Sequence, residues 1–136
     1  VRLVGPAGQF VFNLASRAPV IFVAWDDGFA PIKSLIQHAM SLEISETMHL
    51  YWIAPATGQY RDNLCRSWAD AYDNFFYVPL PGGDVDDSVH RILERHLSLA
   101  SHEVYAAGPE PFLAALKEAM LARGLPESSW HAELFL

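Results

Sequence analysis

Cysteine is almost absent: Cys65 is the only one in the chain. An internal disulfide is therefore excluded, and so is an iron–sulfur cluster held by this chain alone. Long hydrophobic runs are missing too. None approaches the roughly 20 residues that a membrane-spanning helix needs. Positive charge is scarce, with 9 Lys and Arg against 16 Asp and Glu and a net charge of −7. That balance argues against a nucleic-acid surface and against an anionic membrane surface. A small dinucleotide stays open, because backbone dipoles can hold its phosphates locally. The six histidines have no metal-ligand spacing, and His38, His90 and His96 fall in expected helices where a structural role is the expectation. There are no internal repeats and no low-complexity segments. No signal peptide is visible, so a cytoplasmic location is expected. The chain starts at Val1, inside what reads as a strand, so it is expected to be an excised domain.

What is present is apolar surface: 51% of the 136 residues are hydrophobic, enough for one domain with a real core. Residues 20 to 25 form an unbroken apolar run, which reads as a strand buried on both faces. Asp26, Asp27 and Gly28 follow. Then Ile32, Leu35, Ile36, Ala39 and Met40 recur at helical spacing, predicting a helix over about 29–41. A buried strand that turns sharply into a helix is the first half of a βαβ unit. In open α/β sheets, ligands sit outside the carboxyl ends of the strands, where helix N-termini aim N–H groups at anions. A site is therefore expected in the turn from Trp25 to Pro31.

The same alternation continues. Met48 to Ala54 reads as a second strand, closed by Pro55. Residues 59 to 72 read as a helix with Leu64, Trp68, Ala71 and Tyr72 on one face. Asn74 to Leu80 is an aromatic-rich third strand. Asp84 to Ala100 reads as a third helix with Val89, Ile92, Leu93, His96 and Leu97 inward. His102 to Ala107 is a fourth strand leading into Gly108 and Pro109. The fourth helix has Pro111 in its first turn and Gly124 just past its end, the usual asymmetry of helix termini. Trp130 to Leu136 is a fifth strand. Trp68, Tyr72, Phe75, Phe76 and Tyr77 read as core aromatics. Five strands alternating with four helices imply an α/β fold with a parallel sheet and right-handed crossovers.

Four stretches now resemble a known family, the NAD(P)-binding domain of ferredoxin–NADP reductase-type oxidoreductases. Residues 5 to 10, Gly-Pro-Ala-Gly-Gln-Phe, are similar to the Gly-Pro-x-Gly-x-Phe segment that closes that family's flavin domain. Residues 27 to 35, Asp-Gly-Phe-Ala-Pro-Ile-Lys-Ser-Leu, resemble its Thr-Gly-Ile-Ala-Pro-x-Arg-Ser-Leu turn and helix. Residues 104 to 109, Val-Tyr-Ala-Ala-Gly-Pro, are similar to its Val-Tyr-x-Cys-Gly-Pro strand end. Glu133-Leu134-Phe135 is similar to its C-terminal Glu-x-aromatic. The resemblance implies a three-layer, doubly wound, five-stranded parallel sheet in the order 3-2-1-4-5. It implies that residues 1–18 end a preceding flavin domain and that 19–136 bind NAD(P)H. It implies hydride transfer to FAD or FMN on that domain, then electrons to an iron–sulfur domain or an oxygenase.

The resemblance also assigns roles. Gly28, Phe29, Ala30 and Pro31 would seat the pyrophosphate, although any tight strand-to-helix turn needs a glycine like Gly28. Asp26 and Asp27 replace a Gly-Thr pair, and Trp25 replaces a small residue. Both acids would repel a pyrophosphate, and Asp27 reads as a helix N-cap. Ala107, Gly108 and Pro109 would lie near the nicotinamide, with Ala107 standing where many members carry a cysteine. Glu133 and Phe135 would face the flavin as the catalytic wall, or else form an ordinary edge strand. Tyr60 and Arg61 would lie near the adenosine ribose. No acid ends the second strand, so NADH and NADPH both stay open. A degenerate scaffold or regulatory domain, which has kept the fold and lost the dinucleotide, is the rival reading. Asp26 and Asp27 are its support.

Overall fold

A computed structural model describes residues 18–42, 46–54 and 62–134. Val20–Trp25 forms β1, and Phe29–Ser41 forms α1 after a short 3-10 turn at Asp26–Gly28. Met48–Ile53 is β2, Asp62–Ala71 is α2 and Phe75–Leu80 is β3. Val85–Leu93 is α3, Glu103–Gly108 is β4, Glu110–Ala122 is α4 and Trp130–Leu134 is β5. The five strands form one sheet in the order β3-β2-β1-β4-β5, and every neighbouring pair is parallel. The expected fold class and strand order therefore hold.

Burial explains the order. The central strands β1, β2 and β4 are almost wholly buried, as continuous Val/Ile/Phe-type runs require when helices cover both faces. Alternate residues of each strand feed two separate cores. Val20, Phe22 and Ala24 join Leu50, Trp52 and Tyr105 under Ile32, Leu35 and Ile36 of α1 and Cys65 and Trp68 of α2. Ile21, Val23, Tyr51 and Val104 join Val89 and Ile92 of α3 and Leu116 and Met120 of α4. These two layers and the sheet make the three-layer arrangement.

The helix ends follow local chemistry. Pro109 sits before α4 with extended backbone and Pro111 lies in its first turn. Gly124 takes φ +95° just past its end, and Leu125 N–H donates to the Met120 carbonyl at 3.2 Å. Such a left-handed C-terminal glycine closes the last carbonyls.

Three expectations need correction. The third helix ends at Leu93, not near Ala100. Arg123 from the end of α4 donates Nη1–H bonds to the carbonyls of Leu93 and His96, at 2.9 and 2.8 Å. It thereby satisfies groups that a longer helix would have used internally. His96 lies outside the helix and is buried, with its Nε2 2.6 Å from the Tyr51 hydroxyl, while Leu97 is 91% exposed rather than inward. On α2 the buried face is Cys65 and Trp68, and Ala71 and Tyr72 are exposed. Tyr72 and Phe76 are not core residues: Phe76 lies on edge strand β3, where it stacks on His49 with ring centroids 5.0 Å apart.

Candidate functional site at the carboxyl end of the sheet

In this strand order the chain leaves β1 for one side of the sheet and β4 for the other, so a crevice opens between their carboxyl ends. Ala107 and Gly108 end β4 and form its floor. Ala24 pairs in register with Ala107, and Ala107 pairs in register with Glu133 on β5. Gly28 closes one side. A Cβ built on it would lie 2.6 Å from the Ala107 carbonyl oxygen and 3.2 Å from the Ala107 Cβ. Gly28 has an ordinary helical φ of −63°. Space, not conformation, therefore demands the glycine, and what it approaches is the protein's own β4. Trp25 closes the other side, where a Cβ on Gly108 would lie 2.8 Å from the Trp25 Cβ.

The turn after β1 is held from below. Asp26 takes φ +52°, the single positive φ among described non-glycine residues. Its carbonyl accepts a hydrogen bond from Trp52 Nε1–H at 3.0 Å. The Trp52 ring in turn stacks on Phe29, with centroids 4.1 Å apart and planes nearly parallel. A buried indole N–H needs such a partner. That need was the one sequence signal for this contact, which motif matching missed.

Asp27 does not cap α1. A 3-10 turn over Asp26–Gly28 leads into α1, so Gly28, with helical backbone, precedes α1 and no side chain caps it. The helix dipole adds partial positive charge at this terminus. Asp26 and Asp27 are both exposed beside this terminus. Phe29 is buried in the core, and Ala30 and Pro31 lie at the surface of the first turn. Pro109 precedes α4 across the crevice. Glu133 is 6% exposed, and burial holds its carboxyl above the usual carboxylate range. The structure thus brings together Asp26, Asp27, Gly28, Ala107, Gly108, Pro109 and Glu133. Phe135, Tyr60, Arg61 and the Gly5–Phe10 segment lie outside the described residues. No group of three or more His, Cys, Asp or Glu able to hold a metal ion occurs among the described residues. No described helix is long and apolar enough to cross a membrane.

Comparison with known proteins fits this geometry. No family model matches the chain. It is 29% identical over 143 residues to the CDP-6-deoxy-L-threo-D-glycero-4-hexulose-3-dehydrase reductase of Yersinia pestis, covering 100% of this chain and 43% of that protein. It is 27% identical to the reductase component of propane 2-monooxygenase from Rhodococcus jostii, covering 93% of this chain and 38% of that one. The chain is a homologue of ferredoxin reductase-type reductases. It spans less than half the length of these relatives. Among solved structures, a cytochrome P450 reductase from Amycolatopsis superposes with a TM-score of 0.83 at 21% identity, over 96% of this chain and 42% of that one. Phthalate dioxygenase reductase, a modular structure for electron transfer from pyridine nucleotides to [2Fe–2S], superposes at 0.67 and 20% identity, over 90% and 37%. The fold is that of the NAD-binding domain of such reductases.

Proposed function

We propose that this chain is the NAD(P)H-binding domain of a flavin-dependent electron-transfer reductase. The observation that carries the proposal is the N-terminus of α1 at the β1/β4 crevice, which Gly28 packs onto the end of β4. Backbone N–H groups of this turn, from Gly28 to Ala30, would hold the pyrophosphate there, with Pro31 fixing the first turn. Ala107, Gly108 and Pro109 would line the nicotinamide side. When bound, the nicotinamide supplies a hydride to FAD or FMN on a neighbouring domain. Residues 1–18 would be the end of that domain, with 19–136 forming the nucleotide domain. Glu133, with its raised pKa, would keep a proton to a higher pH than an exposed carboxyl and offer it as a hydrogen-bond donor toward the flavin. Phe135 would stack on the same ring. Electrons would pass on to an iron–sulfur domain or an oxygenase, in the cytoplasm.

A second reading has its own support. Two exposed acids flank the phosphate seat and the Trp25 side chain packs against Gly108, as a scaffold that has lost its ligand would allow. Calorimetric titration of the chain with NADH and NADPH separates the two. Saturable binding at one site per chain supports the nucleotide domain. Absence of heat with either nucleotide at millimolar concentration supports the scaffold.

A further inference from the structure

Gly108 leaves room at the end of β4, and this chain fills that room itself. Trp25 is the last residue of β1 and projects toward the α4 side. Its Cβ lies where a side chain on Gly108 would go. Its ring rests on Phe112 in the first turn of α4, with centroids 4.6 Å apart and planes tilted by 42°. The other five residues of β1 are fully buried, whereas Trp25 is only partly so. The indole therefore has solvent on one side to turn into. The backbone beside it is not free to follow, because the Asp26 carbonyl is tied to Trp52 and Trp52 is stacked on Phe29. Any movement of Trp25 is thus a side-chain rotation about a pinned turn.

We propose that the Trp25 indole, where it rests on Phe112, is a displaceable plug on the nicotinamide seat until a nicotinamide ring turns it away from Phe112. The inference rests on the NAD(P)H-binding reading above. Adenosine, ribose and pyrophosphate would bind without disturbing the plug, since their seats lie on the α1 side. Only the nicotinamide would have to displace it. A ligand that must first expose its seat loses affinity by the fraction of molecules in the open state. Breaking one tilted aromatic pair makes that loss about tenfold at most.

The test compares NADH and NADPH with ADP-ribose and its 2′-phosphate, which lack the nicotinamide. In the unmodified chain, calorimetry should give each dinucleotide and its nicotinamide-free counterpart the same affinity within about threefold. Trp25→Ala should tighten the dinucleotide by up to about tenfold and leave the ADP-ribose compound unchanged. Trp25→Phe keeps a smaller ring on Phe112 and should fall between. The unmodified comparison and Trp25→Phe carry the test if the alanine variant fails to fold. A dinucleotide that binds the unmodified chain tenfold tighter than its counterpart, and weakens in Trp25→Ala, would make the indole a stacking partner and overturn the plug. Equal shifts for both compounds would also overturn it. No binding of any of the four compounds would remove the nucleotide site itself, and the plug with it.

Discussion

Asp26 carries two features that can be removed separately: a left-handed backbone at φ +52° and an exposed charge beside the N-terminus of α1. Asp26→Gly removes both, and Asp26→Asn removes the charge alone. Left-handed backbone costs an L-residue roughly 1–2 kcal/mol, less for Asp or Asn because their short side chains bond locally. Glycine returns about 0.5–1 kcal/mol of this through its freedom in the unfolded chain. Asp26→Gly should therefore leave stability unchanged or raise it by about 1 kcal/mol, a midpoint shift of up to about 4 °C for a chain of this size. Asp26→Asn should stay within about 0.5 kcal/mol of the parent. Affinity for NADH or NADPH should separate from stability. A unit charge pair at contact distance in water is worth about 1 kcal/mol, or about fivefold in binding. Both variants should tighten binding by about that factor in calorimetry at low salt. The gain should shrink at physiological salt, where the screening length falls to about 8 Å. Asp27→Thr should give the same gain without loss of stability, since Asp27 caps neither turn. Unchanged or weaker binding in Asp26→Asn at low salt would refute the claim that the acids oppose the pyrophosphate. The scaffold reading would then lose one of its two supports.

Other outcomes follow from the packing. Gly28→Ala would place a Cβ 2.6 Å from the Ala107 carbonyl, backbone against backbone. It should destabilise by about 1–3 kcal/mol in thermal unfolding, and an unchanged midpoint would mean that β4 yields there. His49, His96 and His102 are held below their ordinary pKa mainly by burial, His96 down to about 4. Their unfolded values lie near 6.5, so below that pH the unfolded chain binds more protons than the folded one. Stability should then be full above pH 6.5 and fall as pH drops toward 4, with His96 alone contributing about 3 kcal/mol. Denaturant midpoints that stay flat between pH 7.5 and 4.5 would contradict this. The isolated chain should purify without flavin, since it holds at most one wall of that site, and a stoichiometric yellow chromophore would contradict that.

The fold was readable because three central strands are apolar on both faces and each is followed by a helix-period segment. Period alone could not place the end of α3. His96 continues the apolar pattern, yet it leaves the helix to meet Tyr51, and Arg123, about 30 residues on, supplies the hydrogen bonds that stop it. The same distance effect hid the histidine cluster. His49, His96 and His102 sit on different segments, and only the sheet brings the His96 ring within 5.0 Å of His49 and 5.7 Å of His102. At the site, the glycines were legible as close approaches, but the partners were not. Gly28 approaches Ala107 and Gly108 approaches Trp25, so packing within the chain accounts for both. Asp27 looked like a cap because a helix was expected to begin after it. A 3-10 turn separates the strand from α1 instead, so Gly28, with helical backbone and no side chain, precedes α1, and the extended residue before the turn is Trp25.

The central claim is that a nicotinamide dinucleotide binds at the carboxyl ends of β1 and β4. Amide chemical-shift mapping of the isotope-labelled chain during titration with NADH or NADPH tests it most directly. The account predicts saturable shifts concentrated at the amides of residues 25–30, 107, 108 and 110, with those at 48–50 and 102–104, at the opposite end of the sheet, unmoved. Shifts centred on that opposite end, or none at saturating nucleotide, would contradict it.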